Sequence, residues 1–129
     1  MVALGVLGLL TAAVVLSLPP AGGSPATEAS RFAARAAAVR DGAIVTGVPQ
    51  RLWVAASGYG VERRVEGEWR PDPADQHDWA EGTGVTLNGG GRVTFDALGL
   101  PDQALELAIA RGDTRATVRI DGAGSVTVQ

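Results

Sequence analysis

The chain of 129 residues has no cysteine, no lysine, one histidine and only six aromatic side chains. Without cysteine there is no disulfide framework, no thiolate nucleophile and no cysteine-ligated metal centre. Without lysine, all eleven positive charges are arginines, spread among fourteen carboxylates for a net charge of −3. A nucleic-acid binder gathers basic charge into a stripe, because neutralising phosphates supplies much of its affinity. The scattered arginines here argue against nucleic acid. The arginine bias, like the abundance of alanine and glycine, fits a GC-rich genome better than a binding role.

Charge is also missing from the first 27 residues, since Glu28 is the first ionisable side chain. Residues 1–18 are apolar except for Thr11 and Ser17. As a helix they would measure about 27 Å, close to a hydrocarbon core of about 30 Å. A cleaved signal peptide would open on a basic region, which is lacking, although Ala21-Gly22-Gly23 is compatible with cleavage. A buried core helix would need apolar cover that the rest of the chain does not offer. The segment therefore reads as a membrane anchor, with Val2, Leu4, Val6, Leu7, Leu9, Leu10, Val14, Val15 and Leu16 as its lipid-facing or helix-packing side chains.

Leu18-Pro19-Pro20-Ala21-Gly22-Gly23 breaks or kinks this helix, because proline removes a donor and restricts the residue before it. Ser24-Pro25 restarts it, with Ser24 as N-cap and Pro25 in the first turn. Phe32, Ala36, Val39 and Ala43 then recur at helical spacing. Arg31, Arg35 and Arg40 fall elsewhere, and Glu28 is placed to pair with Arg31 or Arg35. The helix should end near Gly47, with Pro49 just beyond.

After Pro49 the period falls to two. Leu52, Val54 and Ala56 alternate, and after Gly58 so do Tyr59, Val61, Arg63 and Val65, before Glu66-Gly67 turns toward Trp69. This is a hairpin pattern. Residues 70–84 are polar and contain Pro71, Pro73, Gly82 and Gly84, so they are expected to form a long surface loop. That loop, not needed for the sheet, is a candidate partner contact through Trp69 and Trp79. Residues 85–87 and 92–95 look like strands on either side of Asn88-Gly89-Gly90-Gly91. Leu105, Leu107 and Ile109, then Ala116, Val118 and Ile120, then Val126 and Val128 give an antiparallel meander with one buried face. The organisation read from the sequence is an apolar helix over 1–18, a kink and amphipathic helix over 19–47, and a β domain over 48–129.

Catalytic constellations are scarce. His77, near Asp75, Asp78 and Glu81, has neither zinc nor EF-hand spacing and reads as a solvated loop histidine. Ser57, in Ala56-Ser57-Gly58, lacks the flanking glycine of a nucleophile elbow and reads as a turn serine. Glu66 and Glu68 flank a turn glycine, with no apolar cleft to raise a carboxyl pKa. Gly89-Gly90-Gly91 lacks the Lys-Ser/Thr of a phosphate loop. Trp53, Trp69, Trp79 and Tyr59 read as core packing and edge protection before they read as a ligand groove.

In this order, the segments resemble the minor pseudopilins of the GspH/FimT group, within the type IV pilin class. Residues 1–10 look like the inner part of a pilin N-terminal helix. Residues 43–52, Ala-Ile-Val-Thr-Gly-Val-Pro-Gln-Arg-Leu, are similar to the junction from helix to first strand. Gly58-Tyr59 followed by Glu66-Gly67-Glu68-Trp69-Arg70-Pro71 looks like the family's hairpin. Residues 93–99 and 118–126 match its C-terminal pattern. The basic leader, Gly-Phe-type cleavage point and nearby glutamate of a pilin precursor do not occur, so Met1 is expected to lie several residues inside the family's mature helix.

The resemblance implies an α+β pilin-like fold, a long N-terminal helix followed by an antiparallel β-sheet or β-sandwich domain. It implies a single-pass inner-membrane protein with its C-terminal domain in the periplasm, acting in type II secretion without catalysis or cofactor. Its implied partners are other pseudopilins (minor tip subunits and the major pseudopilin), the inner-membrane secretion platform and, for a full-length precursor, prepilin peptidase. Two other readings stay open. One is a type IV pilus minor pilin in pilus assembly or DNA uptake, using Arg111, Arg115 and Arg119. The other is a secreted or anchored ligand-binding β domain.

Overall fold

The computed structural model of the chain describes residues 24–129. The apolar segment 1–18 and the break at 19–23 lie outside the described residues. Ser24 accepts a hydrogen bond from the Thr27 N–H at 3.2 Å, and helix α1 runs from Pro25 to Thr46. It stops at Gly47, whose φ of 70° suits glycine and whose N–H donates to Ala43 O. Start and stop are those expected from the sequence. Phe32, Ala36, Val39 and Ala43 are all buried, so the helical period was read on the correct face.

Eight strands follow: β1 (Gln50–Val54), β2 (Gly58–Val65), β3 (Glu68–Asp78), β4 (Gly84–Asn88), β5 (Arg92–Phe95), β6 (Leu105–Arg111), β7 (Thr114–Ile120) and β8 (Val126–Val128). They form two four-stranded antiparallel sheets, ordered β3-β2-β1-β5 and β4-β6-β7-β8. The strands flanking the glycine run do not pair with each other. β5 joins β1 and β4 joins β6, so Gly89-Gly90-Gly91 carries the chain from one sheet to the other. There the Val54 N–H donates to Gly91 O at 2.8 Å, and a Cβ on Gly91 would meet the Val54 carbonyl at 3.0 Å.

Helix α1 packs against β1 and β5 of the first sheet and β6, β7 and β8 of the second. The core joins its apolar face to Leu52, Tyr59, Val61, Val93 and Phe95, and to the alternating set of the C-terminal meander. A slip of one residue in β6 or β7 would turn that whole set to solvent, which pins the register.

The expected loop at 70–84 is corrected by the structure. Most of it is β3, which pairs with β2 from Val65↔Glu68 to Gly58↔Asp78. Proline and polarity are loop signals, but they are also signals of an edge strand, where a missing N–H costs no ladder bond. β3 is such an edge. Its pairing jumps from Glu62↔Pro71 to Gly60↔Gln76, so residues 72–75 bulge out of the ladder. Within the bulge Asp72 accepts from the Ala74 N–H at 3.0 Å and from Arg63 Nε at 2.9 Å, which blunts the open edge.

Trp79 is corrected as well. It is 7% exposed, donates through Nε1 to Ala55 O at 2.8 Å, and belongs to the core instead of tipping a loop. Removing residues 70–84 should therefore abolish the cooperative thermal transition. A shortened chain that still melts cooperatively would contradict this placement.

Asp72 carries a pH signature. Hydrogen bonds from Arg63 and from the Ala74 N–H hold its carboxyl below the usual aspartate range. A depressed folded pKa adds stability above the ordinary value of about 3.9, lost as pH falls through the folded pKa. Asp72→Asn should therefore show a smaller fall in melting temperature than the parent on acidification below about pH 4. Equal acid slopes would remove the assigned cause.

Candidate functional site

Glu28 sits four residues before Phe32, on the buried side of α1, and its carboxylate follows the phenyl ring inward. It is 1% exposed, and its Oε1 accepts from the Ala80 N–H at 2.9 Å. Oε2 has no hydrogen bond and lies 3.8 Å from His77 Nε2. The expected pairing with Arg31 or Arg35 is thus replaced by a tie between the first helical turn and the chain after β3. The helix N-terminus also favours a negative charge there.

Around this tie, Tyr59 meets Phe32 edge-on at 5.1 Å, Trp79 at 4.8 Å and His77 at 5.2 Å. Burial, then the Glu28 charge, raises the Tyr59 pKa above its usual value. A raised folded pKa means stability that is complete below about pH 10 and lost as pH rises beyond it. A groove of about 440 Å³ opens beside Tyr59 between α1 and β3, bordered by Arg31, Arg35, Asp75 and His77. Arg35 and Asp75 close one side at 3.2 Å. No three metal-ligating side chains converge among the described residues. Ser57 lends its carbonyl to the Trp79 N–H and lies in the turn before β2.

The outer face of the first sheet is built differently. Glu62, 6% exposed, takes Arg92 Nε at 3.2 Å and has Arg51 Nη1 at 3.7 Å. The Arg51 guanidinium also lies 4.3 Å from the Trp69 ring centre, and that of Arg64 lies at 5.6 Å. Trp69 is a half-buried wall of a hollow of about 380 Å³ that also includes Pro49, Asp96, Leu100 and Pro101. Trp53 lies across Gly60, its cross-strand partner, where a Cβ would fall 2.8 Å from both the indole nitrogen and the Asp75 carbonyl oxygen. Gly60→Ala should accordingly cost about 1–3 kcal/mol through overpacking, read from denaturant unfolding. An unchanged midpoint would mean that the indole and the backbone of the β3 bulge at Asp75 both give way freely.

Next to this hollow, at the C-terminal end of α1, is an apolar ledge that sequence reasoning missed. Ile44, Val45, Val48, Leu98 and Leu100 are exposed, Val45 by 84% and Leu98 by 78%. Their exposure is held by structure: Asp96 Oδ1 accepts from the Leu98 and Leu100 N–H groups at 2.9 and 3.0 Å. Gly99, φ 82°, presses this turn onto Ile44, where a Cβ would fall 2.6 Å from Cδ1. Exposed apolar side chains of the helix end and of this turn are thus brought side by side at Ile44. The sequence signal was present, since Ile44 and Val45 fall beyond the Phe32–Ala43 stripe and Leu98-Gly99-Leu100 interrupts a polar stretch.

The arginines weighed for DNA are partly engaged, because Arg119 Nη2 reaches Glu106 Oε2 at 2.6 Å. No helix among the described residues is long and apolar enough to cross a membrane. The side chains proposed for the anchor, Val2 to Leu16, lie outside the described residues.

The chain matches no protein-family model, and no curated protein is significantly similar to it in sequence. Solved structures are similar in fold. The minor pseudopilin EpsH of the type 2 secretion system of Vibrio cholerae superposes with a TM-score of 0.70 at 16% identity, covering 82% of this chain and 97% of that one. The type IV minor pilin FimU of Pseudomonas aeruginosa gives 0.66 at 16% identity, covering 80% and 86%. GspH of E. coli gives 0.62 at 20% identity, covering 78% and 84%. One helix followed by two antiparallel sheets in this arrangement is the pilin-like fold, and the chain shares it with minor pseudopilins and a type IV minor pilin.

Proposed function

We propose that the chain is a minor pseudopilin, a structural subunit of a type II secretion pseudopilus with no catalytic role. The observation that carries this reading is the shared fold, which extends over 97% of EpsH. The built interior adds support, because the side chains most often used for catalysis serve packing and capping here. His77 stacks on Tyr59, Glu28 caps Ala80, and Asp72, Asp96, Asp102 and Asp121 bind backbone N–H groups. In this proposal residues 1–18 anchor the subunit in the inner membrane before assembly, and residues 24–129 stand in the periplasm. Other pseudopilins and the inner-membrane secretion platform are its partners, and prepilin peptidase acts on a full-length precursor.

A second reading, a minor pilin of a type IV pilus, is favoured by the likeness to FimU. Deleting the gene separates the two. Loss of protein export to the medium, with surface pili and DNA uptake intact, supports the pseudopilin. The opposite pattern supports the minor pilin, and no change in either process would reject both.

A further inference from the structure

We propose that the groove between α1 and β3 binds an extended acidic peptide of a partner protein, its carboxylates seated on Arg31 and Arg35. This goes beyond the subunit reading and does not depend on it. The two arginines are four residues apart on α1 and so project from one side of the helix into the groove lining. Among the described residues Arg31 makes no ion pair and no hydrogen bond. Arg35 shows which chemistry this wall takes, because its Nη1 already lies 3.2 Å from a carboxylate oxygen of Asp75. The Arg35 side chain is 45% exposed, and an exposed pair of this kind is weak enough to exchange one carboxylate for another.

Tyr59 also borders the groove, and its hydroxyl has no hydrogen-bond partner among the described residues. Burial and then Glu28 raise the phenol pKa, while the charges of Arg35 and Arg31 pull it the other way, so both guanidiniums act at this point. Glu28 pairs with neither arginine: its Oε1 takes the Ala80 N–H, and its Oε2 is 3.8 Å from His77 Nε2. Spacing favours a peptide over a single anion. Arg31 and Arg35 are about 6 Å apart along the helix axis. Side chains two residues apart on one face of an extended strand are about 7 Å apart, so alternate carboxylates match the two guanidiniums. Ala34 and Ala38 continue the same helix face with methyl groups, which lets a peptide backbone lie close to α1. A phosphate ion would leave most of the 440 Å³ groove empty.

The test uses the full chain, purified in a nonionic detergent, and a fluorescein-labelled peptide alternating alanine and glutamate, with binding read by fluorescence anisotropy. The peptide is expected to bind, and its counterpart with glutamine for glutamate to bind at least about tenfold more weakly. Arg31→Gln should weaken binding of the glutamate peptide about fivefold, the upper end for an exposed ion pair. Asp75→Asn should do the opposite and tighten it, because it releases Arg35; a purely structural role for Asp75 would give no gain. Arg64→Gln, which removes the same charge on the outer face of the first sheet, should leave binding unchanged. Binding of neither peptide by the unmodified chain, or equal binding of both, overturns the proposal. So does a loss with Asp75→Asn, or a loss with Arg64→Gln as large as that with Arg31→Gln. Displacement of the glutamate peptide by an equal concentration of inorganic phosphate would assign the groove to a small anion instead. The subunit reading stands in each of these cases.

Discussion

Phe32→Ala is expected to cost about 3–5 kcal/mol, the usual range for removing a fully buried phenylalanine. The ring is 0% exposed and packs against Tyr59 at 5.1 Å and Trp79 at 6.0 Å. It is the largest apolar side chain that α1 places in the core, and it joins the helix to both β2 and the end of β3. The two rings that contact it are held in place: Tyr59 belongs to β2 and the Trp79 indole is tied to Ala55 O. The space left behind should therefore stay largely open. For a domain whose total stability is about 5–15 kcal/mol, this is a large share. A fall in melting temperature of more than about 10 °C, followed by circular dichroism, is the expected result. A loss below about 1 kcal/mol would mean that the helix is not docked on the sheets as described.

Gly124→Ala is the second large effect. Its φ is 89°, and a Cβ there would lie 2.6 Å from the carbonyl of Gly99, a backbone atom with little room to move. The left-handed backbone costs a side-chain-bearing residue about 1–2 kcal/mol. Overpacking adds about 1–3 kcal/mol. The residue also joins three elements: its carbonyl accepts from Arg40 Nη1 at 2.8 Å, and its N–H donates to Asp121 O at 3.0 Å. Gly112→Ala is the matched control. Its φ is 60° but a Cβ would meet nothing within 4 Å, so only the backbone cost applies. Equal losses in the two variants would dismiss the clash between the 96–101 and 121–125 turns.

The helix and the C-terminal meander were readable because their signals are local. Ser24-Pro25 and Gly47 bracket a 3.6-residue period, and Leu105 to Ile120 keep a period of two across one turn. The hairpin turn was equally local: Glu66 and Gly67 both take positive φ, at 53° and 83°, as a tight two-residue turn needs. What the sequence hid depends on pairing between distant segments. β4 and β5 are separated by a glycine run that resembles a hairpin, yet their partners are β6 and β1. β3 was hidden because its prolines and charges suit an edge strand as well as a loop. Glu28 was legible in principle, since it shares the face of Phe32 and Ala36, but its partner Ala80 is 52 residues away. The same holds for the candidate site. Trp69 was picked out from the sequence, and it does wall a surface hollow. Trp79, read both as core packing and as the tip of a partner loop, is in the core. The ledge needed the 96–100 turn to be folded onto Ile44 before it existed as a surface.

A structural subunit of a pseudopilus, the role proposed for this chain, must travel with the filament. The most direct measurement is to shear or purify filaments from cells in which secretion is active and identify their subunits by mass spectrometry. Recovery of this chain in the filament fraction together with other pseudopilins is the expected result. Recovery of complete, secretion-active filaments that never contain it would contradict that role.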